Sequence, residues 1–121
     1  MASQGIDVYG LTIPAKNSPN SWILTMSYSL LAEAYLQQGQ YTKVLESVEA
    51  FRFYRPNFPV AYLFESLALY GVGRLDAADE AYSRAVVLSA DGGVNAAKVR
   101  RSYIIKFCSA EPALEVCSRN L

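Results

Sequence analysis

Between Trp22 and Gln38 apolar residues return every three or four positions, at Ile23, Met26, Leu30, Leu31, Ala34 and Tyr35, as an amphipathic helix requires. Ser21 stands where an N-cap belongs, and Gly39 supplies the permissive backbone of a C-cap. A second helix is predicted from about Thr42 to Tyr54, with Val44, Leu45, Val48 and Phe51 inward and Lys43, Glu46, Glu49 and Arg52 mostly outward. Pro56 prevents its direct continuation. Pro59 suits the first turn of a third helix ending near Gly71–Gly73, and Asp76 suits the N-cap of a fourth reaching about Leu88. After Asp91, Gly92 and Gly93 a fifth helix is predicted from Asn95 to about Phe107, and Pro112 to Cys117 has room for one more turn or two. The expected class is all-α. Residues 1–20, with Gly5, Gly10, Pro14, Ser18 and Pro19 and no sustained period, read as a flexible N-terminal arm. Its apolar residues Ile6, Val8, Tyr9, Leu11 and Ile13 leave open an extended partner-binding role.

Gly39 and Gly73 stand 34 residues apart, each in a short turn between two helix-patterned segments. Around the first, Tyr28, Leu31, Ala32 and Tyr35 are followed by Val44, Val48 and Pro56. Around the second, Tyr62, Glu65, Ser66 and Leu69 are followed by Ala78, Tyr82 and Ala85, with Ala90 where the closing proline falls. This spacing resembles the tetratricopeptide repeat (TPR), a helix–turn–helix unit with a 34-residue period. The resemblance implies antiparallel helical hairpins stacked as a solenoid, with repeats at about 25–58 and 59–92 inside a domain spanning 21–121. A capping helix at about 94–107 and a tail over 108–121 follow, because a solenoid end must cover the last repeat's apolar face. Lys98, Arg100, Arg101 and Lys106 then form that helix's solvated side. Val44 and Phe51 depart from the pattern by replacing small residues, and Glu65 departs by replacing a leucine; bulk at a helix contact widens the interaxial distance.

At 121 residues and 13.3 kDa the chain is long enough for one core without staples. Basic and acidic residues balance at 11 each, so no global field recruits nucleic acid or an anionic membrane. The longest apolar stretch, Trp22 to Leu36, is broken by Thr25, Ser27, Ser29 and Glu33, so no membrane helix is expected. The N-terminus has no basic residue before Lys16 and no apolar core, unlike a secretory signal, and a cytoplasmic protein is the expectation. Cys108 and Cys117, lacking CxxC spacing, are then expected as free thiols.

The chain contains no histidine, which removes Ser–His and Cys–His nucleophile pairs and, with two cysteines, leaves a structural zinc site without ligands. No phosphate-binding glycine loop occurs. Glu33, Glu65, Asp76, Asp79 and Glu80 are the acid–base candidates, but Asp76, Asp79 and Glu80 fall where negative charge complements a helix dipole. The expectation is a non-enzyme without cofactor or metal.

In the family resembled, the first helix of each pair lines a concave groove for a peptide or partner helix. Mapped onto this chain, that groove takes Met26, Ser29, Glu33, Leu36 and Gln37, then Val60, Leu63, Leu67 and Tyr70, with Val94, Ala97 and Arg101 from the capping helix. The basic clamp of chaperone adaptors is missing, since Ser29, Glu33 and Leu63 hold the comparable sites. An apolar or amphipathic partner helix is therefore the implied ligand. In size and repeat number the chain is similar to the small type III secretion chaperones. The alternative is a scaffold subunit of a homo- or hetero-oligomer, with Phe53, Tyr54, Phe58 and Phe64 at the interface.

Overall fold

A computed structural model describes residues 4–6, 12–14 and 21–119. Five helices make the body: α1 (Ser21–Gln37), α2 (Tyr41–Tyr54), α3 (Pro59–Gly71), α4 (Leu75–Leu88) and α5 (Val94–Ala110), followed by a 3-10 turn at Glu115–Ser118. Within the segment expected as a flexible arm, β1 (Gln4–Ile6) pairs antiparallel with β2 (Thr12–Pro14); the remainder of that arm lies outside the described residues. Pro59 occupies the first turn of α3, where its missing N–H costs nothing. Asp76 is not the cap of α4, because the helix starts one residue earlier and Arg74 holds the cap position. Its carboxylate instead lies in the first turn, favourably placed for the helix dipole.

The two hairpin turns are built alike. The Gly39 N–H donates to the Leu36 carbonyl at 3.1 Å and the Gln40 N–H to the Tyr35 carbonyl at 2.9 Å. In the second hairpin the Gly73 N–H donates to Tyr70 at 3.2 Å and the Arg74 N–H to Leu69 at 2.9 Å. Both are Schellman motifs, and every donor and acceptor of one lies 34 positions from its counterpart. Gly39 and Gly73 have φ of 74° and 84°, and nothing lies within 4 Å of a Cβ added at either. Their requirement is therefore conformational and not steric. Gly39→Val is expected to lower the unfolding free energy by about 1–2 kcal/mol, the cost of a left-handed β-branched residue, while Gly39→Asn costs much less. A chemical denaturation curve reads the difference; equal midpoints for both variants would refute it.

The burial pattern repeats at the same offset. Ala32 and Ser66, Leu36 and Tyr70, Val44 and Ala78, and Phe51 and Ala85 are all buried pairs 34 residues apart. Ala78, Ala81 and Ala85 give α4 a small-residue stripe against which α3 packs closely. α3 is central, in contact with α1, α2, α4 and α5, so residues on nearly all its sides are withdrawn from water. At its end, a Cβ added to Gly71 would lie 2.5 Å from the Tyr41 ring, which itself packs edge-on against Phe107.

Asp91 opens α5. Its Oδ1 accepts from the Gly93 N–H at 2.9 Å and its Oδ2 from the Asn95 N–H at 3.0 Å, and the two bonds hold its carboxyl below the ordinary range. Beyond α5 the chain turns back, and Cys108 and Cys117 form a disulfide with Cα atoms 5.6 Å apart. The expectation of free thiols was wrong: it rested on compartment, whereas the 3-10 turn at Glu115–Ser118 brings the second cysteine beside the helix carrying the first. Val116, fully buried, and Arg119, paired with Asp79 of α4 at 2.8 Å, fasten the rest of the tail.

Candidate interaction surface

The groove inferred from the sequence does not exist as one surface. Leu36, Leu63, Leu67 and Tyr70 are 2%, 8%, 0% and 0% exposed and belong to the core. The reason is the central position of α3: with four helices against it, its stripe Leu63, Leu67, Tyr70 meets neighbours instead of solvent. Met26, Glu33 and Arg101 are exposed, and Ser29 and Val60 are half-buried. Val60 lines, with Leu63, Ala85, Asn95 and Ala96, a cleft of about 310 Å³ where α3, α4 and α5 converge. Met26, Ser29, Glu33 and Arg101 are not in its walls. Of the aromatics expected at an oligomer interface, Tyr54 and Phe64 are core residues, Phe58 is half-buried and Phe53 is exposed.

The surface that stands out is the outer side of α1. At 3.6 residues per turn, Thr25, Ala32 and Leu36 share one side and are buried. Ile23, Met26, Leu30 and Ala34 share the opposite side and are exposed, Ile23 and Leu30 to 64% each. Trp22 and Leu31 flank this stripe and are also exposed. α1 is thus apolar on both faces, and Glu33 is its one charged residue. A helix apolar all round is normally a buried helix. Internal symmetry shows what such a face does when covered. Leu30, Ala34 and Gln37 correspond at the 34-residue offset to Phe64, Ala68 and Gly71, all buried, and Gly71 abuts Tyr41 of α2. On α3 this face receives the helix that precedes it; on α1 it is open.

No family model matches the chain, and no curated protein or solved structure matches it at a significant level.

The polar groups fall into two sets. In the first, the Tyr70 hydroxyl donates to Asp79 Oδ1 at 2.6 Å while Arg119 donates to Asp79 Oδ2 at 2.8 Å. Arg100 reaches the Tyr70 oxygen at 3.5 Å and stacks 3.7 Å from the centre of the Tyr82 ring. Burial, then the bond to Asp79, pushes the Tyr70 hydroxyl up; for Asp79 the opposing effect of burial is outweighed by the bonds from Tyr70 and Arg119, and its carboxyl is held low. Tyr70 is fully buried, and the set ties α3, α4, α5 and the tail together. In the second, a cleft of about 380 Å³ between α2, α3 and α4 is floored by Tyr62, whose ring lies beneath the guanidinium groups of Arg52 at 5.3 Å and Arg84 at 5.8 Å. Glu65, an acid–base candidate from the sequence, is bound there to Arg52 at 2.7 Å, while Glu33 is alone on α1. Among the described residues no three His, Cys, Asp or Glu are grouped to hold a metal, and no helix is long and apolar enough to cross a membrane.

The sequence groups Ile23, Met26, Leu30, Leu31, Ala34 and Tyr35 as the recurring apolar positions of one amphipathic helix and assigns that helix no outer apolar face. The available signal was the near-absence of charge: a helix of 17 residues with one ionised side chain has no polar side to give to water.

Proposed function

We propose that this chain is a TPR-like protein-interaction module, non-enzymatic, that receives an apolar or amphipathic helix of a protein partner on the outer face of α1. The observation that carries this reading is the exposed stripe Ile23, Met26, Leu30 and Ala34, in which the α3 counterparts of Leu30 and Ala34, Phe64 and Ala68, are buried. The TPR-like arrangement is supported by the 34-residue equivalence of the two turns, including both Schellman hydrogen bonds of each. Covering a Leu, Ile or Met side chain fully gains about 1.5–3 kcal/mol, so four partly exposed side chains gain less than four such terms. Association costs roughly 4–15 kcal/mol, so the α1 stripe alone supports weak, reversible binding.

A small chaperone that shields a client helix, as in type III secretion, is one form of this reading. That form is cytoplasmic, and in a reducing cytosol Cys108 and Cys117 would be thiols. The bonded pair places it behind the general interaction module.

A photo-crosslinking amino acid at position 30 tests the reading. An adduct is expected from position 30 and not from Lys98, which is exposed on α5. Equal labelling at both positions, or none at position 30, would refute it.

A further inference from the structure

We propose that the helix received by α1 is α1 of a second copy, in an antiparallel pair about a two-fold axis near Tyr28. The inference rests on the reading of α1 as a helix-binding face and adds the identity of the occupant.

The stripe is self-complementary in that sense. Inverting α1 about the level of Tyr28 sets Ile23 opposite the second copy's Ala34, and Met26 opposite its Leu30 and Leu31. A two-fold axis applies each contact twice, as closed dimers do. Every residue facing across the stripe is uncharged, so no ion is buried without a partner.

Charge at the edge of the stripe selects the antiparallel sense. Trp22 and Glu33 are eleven residues apart, about three turns, and so lie along one edge of α1, roughly 16 Å from each other. At the Trp22 end sits Arg55, its guanidinium 5.0 Å from the Trp22 ring centre. The buried Arg55 Nε has no hydrogen-bond partner among the described residues. Among the described residues neither Arg55 nor Glu33 is in an ion pair. In an antiparallel helix pair each edge faces the same edge of the other helix. Glu33 of one copy therefore arrives beside Trp22 and Arg55 of the second, and the reverse pairing occurs at the other end. A parallel pair would set Glu33 against the opposite edge, where Ser27, Leu31 and Gln38 offer no charge. The antiparallel sense thus brings Glu33, an exposed anion, to an arginine that is in no ion pair among the described residues.

The test is mass against concentration for the full chain by sedimentation equilibrium. Wild type is expected to dimerise, Leu30→Glu to remain monomeric, and Glu33→Arg or Arg55→Glu alone to weaken the dimer roughly tenfold through two symmetric charge pairs. The double variant Glu33→Arg, Arg55→Glu is expected to recover most of that loss. Circular dichroism of each variant separates a broken interface from a broken fold, and Glu33, being exposed, can be reversed without touching the core. A dimer that survives Leu30→Glu overturns the proposal, as does one lost in Leu30→Glu but indifferent to all charge reversals. A monomer at every concentration also overturns it; if position 30 still crosslinks to a different protein, the helix-binding reading stands, and if nothing crosslinks there, that reading fails as well.

Discussion

Leu63→Glu is expected to leave the chain unfolded at 25 °C, while Leu30→Glu melts within a few degrees of wild type. Both replace a leucine on a first helix of a hairpin, yet Leu63 is 8% exposed in the core cluster and Leu30 is 64% exposed. Leu63→Glu loses the transfer and packing energy of a core leucine, about 2–5 kcal/mol, and adds a carboxylate without a partner. Leu63 also borders the cleft holding Ala85 and Ala96, so the introduced group would sit among apolar side chains of α3, α4 and α5. Added to the several kcal/mol of an unpaired buried carboxylate, that loss approaches a domain's total stability of roughly 5–15 kcal/mol. Far-ultraviolet circular dichroism and thermal melting of the two variants give the answer. A folded Leu63→Glu would mean that α3 has a free face, and the placement of the interaction surface on α1 would then lose its basis.

The contrast between these leucines marks how far the sequence could be read. Helix boundaries were legible because they are local: Pro59 starts α3, and Gly39 and Gly73 end α1 and α3 by conformations that side chains resist. The 34-residue repeat was legible for the same reason, since each turn uses its own hydrogen bonds. Burial is not local. Val60, Leu63, Leu67 and Tyr70 form as regular a stripe as Ile23, Met26, Leu30 and Ala34, and periodicity alone cannot say which stripe meets neighbours. Neighbour number decided it: α3 has a hairpin before it and α5 after it, and α1 has a covering helix on one side only. Thr25, a polar residue that interrupts the apolar stretch, is fully buried on the side of α1 that faces the core. Asp91 was passed over as part of a glycine-rich turn, although its two carboxylate bonds start α5.

Replacing both cysteines by serine, Cys108→Ser with Cys117→Ser, is expected to lower stability by roughly 2–3 kcal/mol, the chain-entropy value for a loop of this size. For a chain of this length that corresponds to a fall in Tm of about 10 °C. Reducing the wild type should reproduce the shift, and hydrogen exchange should show residues 111–119 exchanging faster with α1 unchanged. The tail is the selective target because few other contacts hold it: Val116 in the core, Leu114 packed against it, and the Arg119–Asp79 pair. Both Arg119 and Asp79 are partly exposed, at 35% and 39% of the side chain, so their pair alone is a weak tether. Freeing Arg119 also removes one of the three groups, with Tyr70 and Arg100, that hold the Asp79 carboxyl low. A depressed carboxyl contributes stability that is present above its unfolded range and is lost as the pH falls through its folded value. The cysteine-free variant should therefore lose less stability than wild type on going from neutral pH to below the folded value of Asp79. An unchanged Tm in that variant, with wild-type exchange rates over 111–119, would show that Val116 and Arg119 hold the tail without the bond.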